Sequence, residues 1–370
     1  MKTADTVAMQ TGSLLPLPTQ LSAVPVACVD IGGTKVAVSC VDSRGAHVRL
    51  TEATCKSGAP EALAQQVIRL VHQSCAAAHI SAGDLAAVGV ASCGPFVLQG
   101  GLIELAAPNI CGGLTGIPGR LPNDWTSAPL EGLLRSAFNN VRIENDAVAA
   151  LEAERRWGAL REDNQPMANC AYVTWSTGVG AGLCVNGRIL RGKNGNAGHA
   201  GHQFVSDNNH ALCGCGNIGD VEALVGGMAI GLAIRPATRP VIRPVTRPVI
   251  GQRFSGADYA SPAELFKAAQ ADDTAALDIV EGLCRIMGRM LYNLVATLDL
   301  QRISLGGSVF WHHREFLLPR LAMQLHGKLP ALTDGCDLVS AGLGQQVGDY
   351  AALALALAAT DQVESWGLKV

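Results

Sequence analysis

The stretch "VPVACVDIGGTKVAVSCVDSRGAHVRL", residues 24–50, contains two apolar runs separated by a glycine turn. A second turn, "DSRG", follows the second run. Apolar runs bounded by Gly, Asp and Ser are typical of buried strands. We therefore predict a β-hairpin whose turn is "GGTK", residues 32–35.

The next segments extend this hairpin into a sheet. Residues 60–78 have helical periodicity, and residues 85–92 form an apolar run that ends at the turn "CGPF". The apolar face of the helix comprises Leu63, Val67, Leu70 and Val71. A β-β-α-β order favours a mixed sheet over a purely parallel one.

An internal repeat indicates two related halves. Residues 170–190 repeat the strand, Gly/Thr turn and strand of residues 26–42. Each half then contributes one glycine turn to a shared cleft. The predicted organisation is a small α/β domain at 25–142, completed by a C-terminal helix at 348–370, and a large α/β domain at 143–347 with a polar loop at 197–222.

Composition limits the classes to which this chain can belong. Of its 370 residues, 48% are hydrophobic and 16% charged, with a net charge of −3. This balance is typical of a soluble globular protein and lacks the Lys/Arg excess that nucleic-acid phosphates require. The 12 cysteines lie mostly in apolar segments, as buried thiols of a reducing compartment do. We expect a cytoplasmic protein that binds neither nucleic acid nor membrane.

Two segments stand outside the predicted domains. Residues 1–24 lack the apolar core and cleavage site of a signal peptide, so we predict a disordered or loosely docked extension. Residues 235–250, "RPATRPVIRPVTRPVI", place proline at every fourth position, which forbids a regular helix. We favour a solvated surface loop there over a docking site for an anionic partner.

Two glycine turns have the composition of phosphate sites. In "DIGGT", Gly32 and Gly33 let backbone N–H groups approach an anion, Thr34 adds a hydroxyl donor, and Asp30 can hold Mg²⁺ through water. A tight hairpin alone would also explain this pentapeptide. The second turn, "STGVGAG" at 176–182, favours a polyphosphate held from both sides, although neither turn is a Walker motif.

The segment "ENDAVAA", residues 144–150, places a carboxylate where a strand meets a helix. Such an aspartate is most often an N-cap. Beside two phosphate turns, however, Asp146 is a candidate general base that takes the proton of an attacking hydroxyl, with Asn145 orienting the acceptor.

Six motifs in order resemble those of the ROK family of sugar kinases and sugar-responsive repressors. They are "DIGGTK", "PNICGG", "ENDAVAALEAE", "STGVGAG", "GHAGH…CGCGNIGDVE" and "LGGSV", and they run from about residue 26 to the last helix. The resemblance implies two ribonuclease-H-like domains, of the actin/hexokinase type, with mixed sheets around a central cleft. The segment before residue 26 is shorter than the winged helix-turn-helix of the repressor members, which favours a kinase.

The resemblance also implies roles for individual residues. ATP and Mg²⁺ would lie on the two glycine turns, with "LGGSV" near the adenosine, and a homodimer is expected. The nucleotide residues would be Asp30, Gly32, Gly33, Thr34, Lys35, Thr177, Gly178, Gly306 and Gly307. The acceptor pocket would be lined by Asn109, Asn145, Asp146, His199, His202 and Glu222.

The loop at 197–222 departs from the family pattern twice. Family members hold a structural Zn²⁺ with one His and three Cys, whereas this chain keeps His202, Cys213 and Cys215 but has Asp220 in place of the third Cys. A carboxylate can ligate Zn²⁺, so a His-Cys-Cys-Asp site is favoured over a metal-free loop, with His210 as a substitute ligand.

The second departure concerns the substrate. His199 stands where most members have Glu, as it does in N-acetylmannosamine kinases of the family. We therefore expect a kinase that phosphorylates a primary hydroxyl of a hexose, an N-acylhexosamine or a C7-cyclitol. A non-catalytic sugar-sensing regulator would be expected to lack Asp146, and an acetate-kinase-like or ATPase relative would not need the "GHAGH…CGC" loop.

Overall fold

The computed structural model describes residues 7–13, 25–42, 44–114, 121–207, 211–234 and 259–367. Within them the chain divides into two units. Unit 1 takes in the described parts of Met1–Trp157, Arg191–Ala197 and Gln346–Val370, and unit 2 takes in those of Gly158–Leu190 and Gly198–Gln345. His210 and the predicted surface loop at 235–250 lie outside the described residues.

A mixed sheet forms the centre of unit 1. The strands of this unit are β1 (Ala8–Ser13), β2 (Val26–Ile31), β3 (Lys35–Val41), β4 (Ala46–Ala53), β5 (Ala87–Ser92), β6 (Phe96–Gln99), β7 (Leu102–Leu105), β8 (Ala128–Pro129) and β9 (Val141–Asn145). Six of them form the sheet β1-β4-β3-β2-β5-β9, and β6-β7-β8 form a smaller one. β2 and β3 pair antiparallel, whereas β2, β5 and β9 are parallel neighbours. The predicted hairpin and mixed sheet are confirmed.

Helices cover both faces of the large sheet in unit 1. They are α1 (Ala62–Ala77), α2 (Glu131–Ala137), α3 (Asp146–Trp157) and the C-terminal helix (Val347–Gly367). Val88 and Val90 of β5 share a core with α1, because alternate strand residues point to the same face. Gly89 between them faces the C-terminal helix, where a Cβ would overlap the carbonyl oxygen of Ala352.

Two features of unit 1 differ from the domain limits given above. β9 and α3 belong to unit 1, whereas the predicted boundary falls at 142/143. The reason is packing, since α3 lies against the C-terminal helix and Trp157 meets Tyr350 edge to face, with ring centroids 5.5 Å apart. In addition, residues 8–13 of the predicted extension form β1, which pairs antiparallel with β4.

Unit 2 contains a second hairpin with the same arrangement as the first. Its strands are β10 (Arg161–Glu162), β11 (Gln165–Pro166), β12 (Cys170–Trp175), β13 (Val179–Val185), β14 (Arg188–Ile189), β15 (Arg302–Gly306) and β16 (Asp337–Ser340). The main sheet has the order β14-β13-β12-β15-β16, with β12 antiparallel to β13 and parallel to β15. The order β13-β12-β15 repeats β3-β2-β5 of unit 1, so the predicted internal repeat is confirmed.

A long helix organises the core of unit 2. The helices of this unit are α4 (Val221–Val225), α5 (Gly227–Ala233), α6 (Pro262–Gln270), α7 (Thr274–Leu298), α8 (Ser308–His312), α9 (Arg314–Leu325) and α10 (Pro330–Thr333). Asp273 caps α7 by accepting the Ala276 N–H at 2.8 Å. The apolar face of α7, which includes Ile279, Leu283 and Met287, is buried. Among the described residues, none of the helices is both long enough and apolar enough to span a bilayer.

Candidate active site

The first glycine turn joins β2 to β3 and is closed by its own backbone. The Gly32 N–H donates to the carbonyl oxygen of Lys35 at 2.9 Å, and the Thr54 hydroxyl donates to the carbonyl oxygen of Gly32 at 2.7 Å. The side-chain amide of Asn109 lies against Gly33, where a Cβ would overlap the Nδ2 atom. The structure thus brings the predicted phosphate turn next to the asparagine of "PNI".

Three parallel strands of unit 1 end at the same level. Ile31 of β2 is paired with Ser92 of β5, and Ser92 is paired with Asn145 of β9. The glycine turn follows the first strand and Asp146 follows the third, as the first residue of α3. Ligand sites of α/β sheets form at such carboxyl ends of strands. The sheet register therefore places the candidate base near the candidate phosphate turn.

The surroundings of Asp146 favour a basic carboxylate. Burial raises its pKa to about 6, and the negative charge of Asp30 adds to this effect. Hydrogen bonds to the carboxylate act in the opposite direction: the Ala147 N–H donates to Oδ1 of Asp146 at 2.8 Å, and the side chain of Asn145 makes a second one. A carboxyl group with a pKa near 6 is mostly ionised at neutral pH and accepts a proton more readily than an aspartate with the ordinary pKa does.

Asp30 is held in a charged cluster that the sequence does not predict. Burial raises the pKa of Asp30, while the positive charges of Arg49 and Lys35 act to lower it. Arg49 projects from β4 and forms an ion pair with Asp349, in the first turn of the C-terminal helix. Arg49 thereby partly compensates two carboxylates at this end of the sheet.

A single asparagine fixes the loop that carries Asn109. The Asn123 side chain accepts the N–H groups of Gly112 at 2.7 Å and Trp125 at 3.1 Å. Its Nδ2 donates to the carbonyl oxygens of Lys56 at 2.8 Å and Ile110 at 2.9 Å. All four hydrogen bonds of this amide go to backbone groups, so Asn123 holds together three separate stretches of chain.

Replacement of Asn123 by alanine is expected to destabilise unit 1. Four backbone groups would lose a partner, and a part-buried donor or acceptor without one costs about 1–3 kcal/mol. Asn293→Ala is the control, because Asn293 is an exposed residue of α7 whose Nδ2 makes one hydrogen bond, to Oε1 of Gln203 at 3.3 Å. Denaturant unfolding should show a clearly larger loss for Asn123→Ala; equal losses would contradict the special role of Asn123.

The second glycine turn and "LGGSV" lie on neighbouring strands of unit 2. Thr177 and Gly178 follow β12, and Gly306 ends β15, which pairs with β12 at Thr174. Gly307 has a φ of +87°, and a Cβ there would meet the backbone of Trp175, so only glycine fits. The four predicted nucleotide residues of this unit are thus brought to one edge of one sheet.

The pKa values of the two histidines of "GHAGH" are shifted in opposite directions. Burial, helped by the nearby His202, lowers the pKa of His199. The Nε2 atom of His199 is buried and has no hydrogen-bond partner among the described residues. In contrast, the hydrogen bond to Asp220 raises the pKa of His202. His199 is therefore a neutral imidazole with an unused polar atom.

Four candidate metal ligands converge in unit 2. His202, Cys213, Cys215 and Asp220 each place one ligand atom within 4.8 Å of the others. Oδ2 of Asp220 lies 3.2 Å from Nδ1 of His202 and 3.4 Å from Sγ of Cys215. Nδ1 of His202 lies 3.6 Å from Sγ of Cys213.

This donor set fits Zn²⁺. Bonds of about 2.0–2.3 Å to a tetrahedral zinc ion separate the ligand atoms by about 3.3–3.8 Å, close to the distances found here. Burial raises the pKa of the Cys213 thiol, so metal binding at neutral pH would release a proton from it. Asp220 therefore stands where it can replace the third cysteine as a ligand.

Cys93 is a further residue near the candidate site that the sequence does not single out. It follows β5, and its N–H donates to the carbonyl oxygen of Ile31 at 2.8 Å. Burial raises the pKa of its thiol, and the charges of Asp146 and Asp30 add to this. The only sequence signal is its position at the end of the middle strand of the three.

Comparisons with known proteins define the class to which this fold and these residues belong. A glucokinase of the ROK family from Streptomyces griseus, solved in complex with glucose and AMPPNP, has a TM-score of 0.63 and 26% identity, covering 90% of this chain and 99% of that chain. The α/β fold of the actin/hexokinase type is confirmed, and the class is that of the ATP-dependent phosphotransferases. The chain belongs to the ROK family, whose model matches residues 26–359.

Curated relatives agree with this class. N-acetylmannosamine kinase from Haemophilus influenzae (strain PittGG) is 30% identical over 320 residues, which cover 86% of this chain and 91% of that protein. Glucokinase from Aeropyrum pernix is 30% identical over 345 residues, which cover 90% and 96%. The prediction of an enzyme is confirmed, and a non-catalytic regulator is not favoured.

Proposed function

We propose that this protein transfers the γ-phosphoryl group of ATP to a primary hydroxyl of a sugar, with Asp146 as the general base. The observation that carries the proposal is the position of Asp146 at the common end of three strands, near the first glycine turn, with a pKa of about 6. Kinases on other folds also use a carboxylate to accept the proton of the attacking hydroxyl.

The reaction needs one proton transfer and one exchange of oxygen at phosphorus. As the hydroxyl oxygen of the acceptor attacks the γ-phosphorus, its proton passes to Asp146. The bond between the γ-phosphorus and the bridging oxygen breaks, and ADP leaves with that electron pair. Asn145, whose Oδ1 is oriented by the Ala147 N–H, and Asn109 would orient the acceptor.

The glycine turns would bind the phosphates of ATP through backbone N–H groups. This role falls to residues of both units: Asp30, Gly32, Gly33, Thr34 and Lys35 in unit 1, and Thr177, Gly178, Gly306 and Gly307 in unit 2. Mg²⁺ bound to the phosphates would neutralise developing negative charge, and Asp30 would hold it through water.

Among the acceptors, we favour an N-acylhexosamine such as N-acetylmannosamine. His199 supports this choice, because a neutral imidazole can donate one hydrogen bond and accept another, whereas a glutamate only accepts. Its unused Nε2 is available for a substrate group. His202 and Glu222 complete the proposed pocket. Glucose and C7-cyclitols are the competing acceptors.

An ADP-release screen across hexoses, N-acylhexosamines and cyclitols tests this proposal. N-acetylmannosamine is expected to show the highest kcat/KM of the set. A preference for glucose or for a cyclitol would overturn the choice of acceptor and leave the kinase assignment intact. Sugar binding without ADP release, under any of these conditions, would support the regulator instead.

The rate is expected to fall as the pH drops through about 6. Since burial raises the pKa of Asp146 to about 6, the base is ionised above this pH and becomes protonated, and inactive, below it. Higher Mg²⁺ should move the inflection to lower pH, because a cation beside Asp30 cancels a charge that raises the pKa. The check is kcat/KM from pH 5 to 8 at two Mg²⁺ concentrations. A flat profile, with the fold intact by circular dichroism, would contradict Asp146 as the base.

A structural Zn²⁺ held by His202, Cys213, Cys215 and Asp220 is part of this proposal, as are a homodimer and a cytoplasmic location. Elemental analysis tests the zinc and light scattering tests the homodimer. When bound, Zn²⁺ would cross-link the loop that carries His199 and His202 to the start of α4.

A further inference from the structure

Glu222 makes its strongest contact with the second glycine turn. It is the second residue of α4, and its Oε2 accepts the N–H of Val179 at 2.9 Å. Val179 directly follows Gly178, and a Cβ on Gly178 would overlap the same Oε2 atom. The other oxygen, Oε1, lies 4.0 Å from Sγ of Cys213. Both carboxylate oxygens thus have neighbours within unit 2.

The same helical region holds the remaining backbone of the turn. The Gly227 N–H donates to the carbonyl oxygen of Ser176 at 2.8 Å, and the Met228 N–H donates to that of Thr177 at 3.3 Å. Together with the Val179 N–H, three backbone groups on either side of Gly178, at positions 176, 177 and 179, are held by α4 and the start of α5. Of these three contacts, only that of Glu222 is made by a side chain. Glu222 accepts a backbone N–H of the turn, whereas the other two contacts satisfy carbonyl oxygens of the turn.

The start of α4 is in turn part of the metal cluster. Oδ1 of Asp220 caps the helix by accepting the Ala223 N–H at 2.8 Å, while Oδ2 faces His202 and Cys215. One short helix therefore runs from the candidate zinc ligands to the glycine turn.

We propose that Glu222 is a positioning residue for the nucleotide: it holds the turn Ser176–Gly178 in the shape that accepts the phosphates of ATP. This rests on the proposed kinase function, since it needs the turn to bind ATP. It adds a second role to the place of Glu222 in the proposed sugar pocket, and the two are separable because the new role predicts an effect on nucleotide affinity when no sugar is present. Through Asp220, the same helix couples the metal cluster to the ATP side of the reaction.

Three substitutions at Glu222 separate the effect of its hydrogen bond to the Val179 N–H from the effect of its negative charge. Alanine removes the acceptor, aspartate keeps the charge on a side chain one methylene shorter, and glutamine keeps an acceptor oxygen at the same length. We expect Glu222→Ala and Glu222→Asp to weaken binding of Mg²⁺–AMPPNP about tenfold, as the loss of a charge-assisted hydrogen bond does. Glu222→Gln should stay within about threefold of the wild type, because a neutral acceptor retains part of the bond.

The measurement is calorimetric titration of each protein with Mg²⁺–AMPPNP in the absence of sugar. Glu264→Ala is the matched control, because Oε2 of Glu264 also accepts a backbone N–H, that of Ala260 at 2.6 Å, at the exposed start of α6. It should bind the nucleotide as the wild type does. Unaltered nucleotide affinity in folded Glu222→Ala and Glu222→Asp would overturn the inference, as would an equal loss in Glu264→Ala. No nucleotide binding by the wild type would instead refute the proposed kinase function.

Discussion

Replacement of Asp146 by asparagine is expected to lower kcat by about 10²- to 10⁴-fold, the contribution of a positioned general base. Asparagine has nearly the same shape and can still accept the Ala147 N–H, but it cannot take a proton from the acceptor hydroxyl. The KM values for sugar and ATP should change little, because binding does not need the proton transfer. Steady-state kinetics with an ADP-release assay measure both effects.

The same variant should not be less stable at pH 8. The folded-state pKa of Asp146, about 6, lies above its ordinary value of 3.8, so its ionised form disfavours folding increasingly as the pH rises from 4 to 6. Removing a charge whose raised pKa disfavours folding should keep or raise the free energy of unfolding. Asp84→Asn, at an exposed position, serves as the control. More than a tenth of the wild-type kcat in Asp146→Asn would rule out Asp146 as the base.

Loss of Asp220 is expected to remove the zinc and to lower the Tm by about 10 °C or more. Loss of a structural metal costs several kcal/mol of folding free energy. Each kcal/mol lowers the Tm of a domain of 150–250 residues by about 2–4 °C. Asp220→Ala loses both the ligand Oδ2 and the helix cap made by Oδ1. Asp220→Asn keeps an oxygen that can cap α4 and loses the anionic ligand.

Comparison of Asp220→Ala with Asp220→Asn separates the contribution of the metal from that of the helix cap. Both variants should contain no zinc by elemental analysis, and Asp220→Asn should melt like wild type treated with a chelator. Asp220→Ala should lose about 1 kcal/mol more, the usual contribution of an N-cap. If the wild type carries no zinc after purification without chelators, and a chelator leaves its Tm unchanged, the four residues do not form a zinc site.

Local patterns were sufficient for much of this fold. Apolar runs flanked by glycine predict the two hairpins, and the 3.6-residue periodicity predicts α1, because burial of one face leaves a regular pattern in the sequence. β1 leaves no such pattern. Met9 is 64% exposed, and the strand exists because the edge of β4 offers unpaired backbone groups. Pairing of this kind depends on the partner strand more than on the residues that pair.

The site was predictable wherever one residue type signals its chemistry within a short motif. Asp30, Asp146 and the cysteine pair stand in such motifs. Arg49 does not, because its partner Asp349 is far along the chain and only the fold joins them. Asn123 is likewise an ordinary loop asparagine until the structure shows four backbone groups around it.

The C-terminal helix has a consequence for synthesis of the protein on the ribosome. Residues of unit 1 are made first, yet one face of its sheet, where Gly89 meets Ala352, is covered by a helix that begins only at Val347. A nascent chain released before that point would expose apolar strand surface and the unpaired charge of Arg49. Unit 1 therefore cannot close its core until the helix that begins at Val347 has been translated, and until then the nascent chain exposes the kind of apolar surface that chaperones bind.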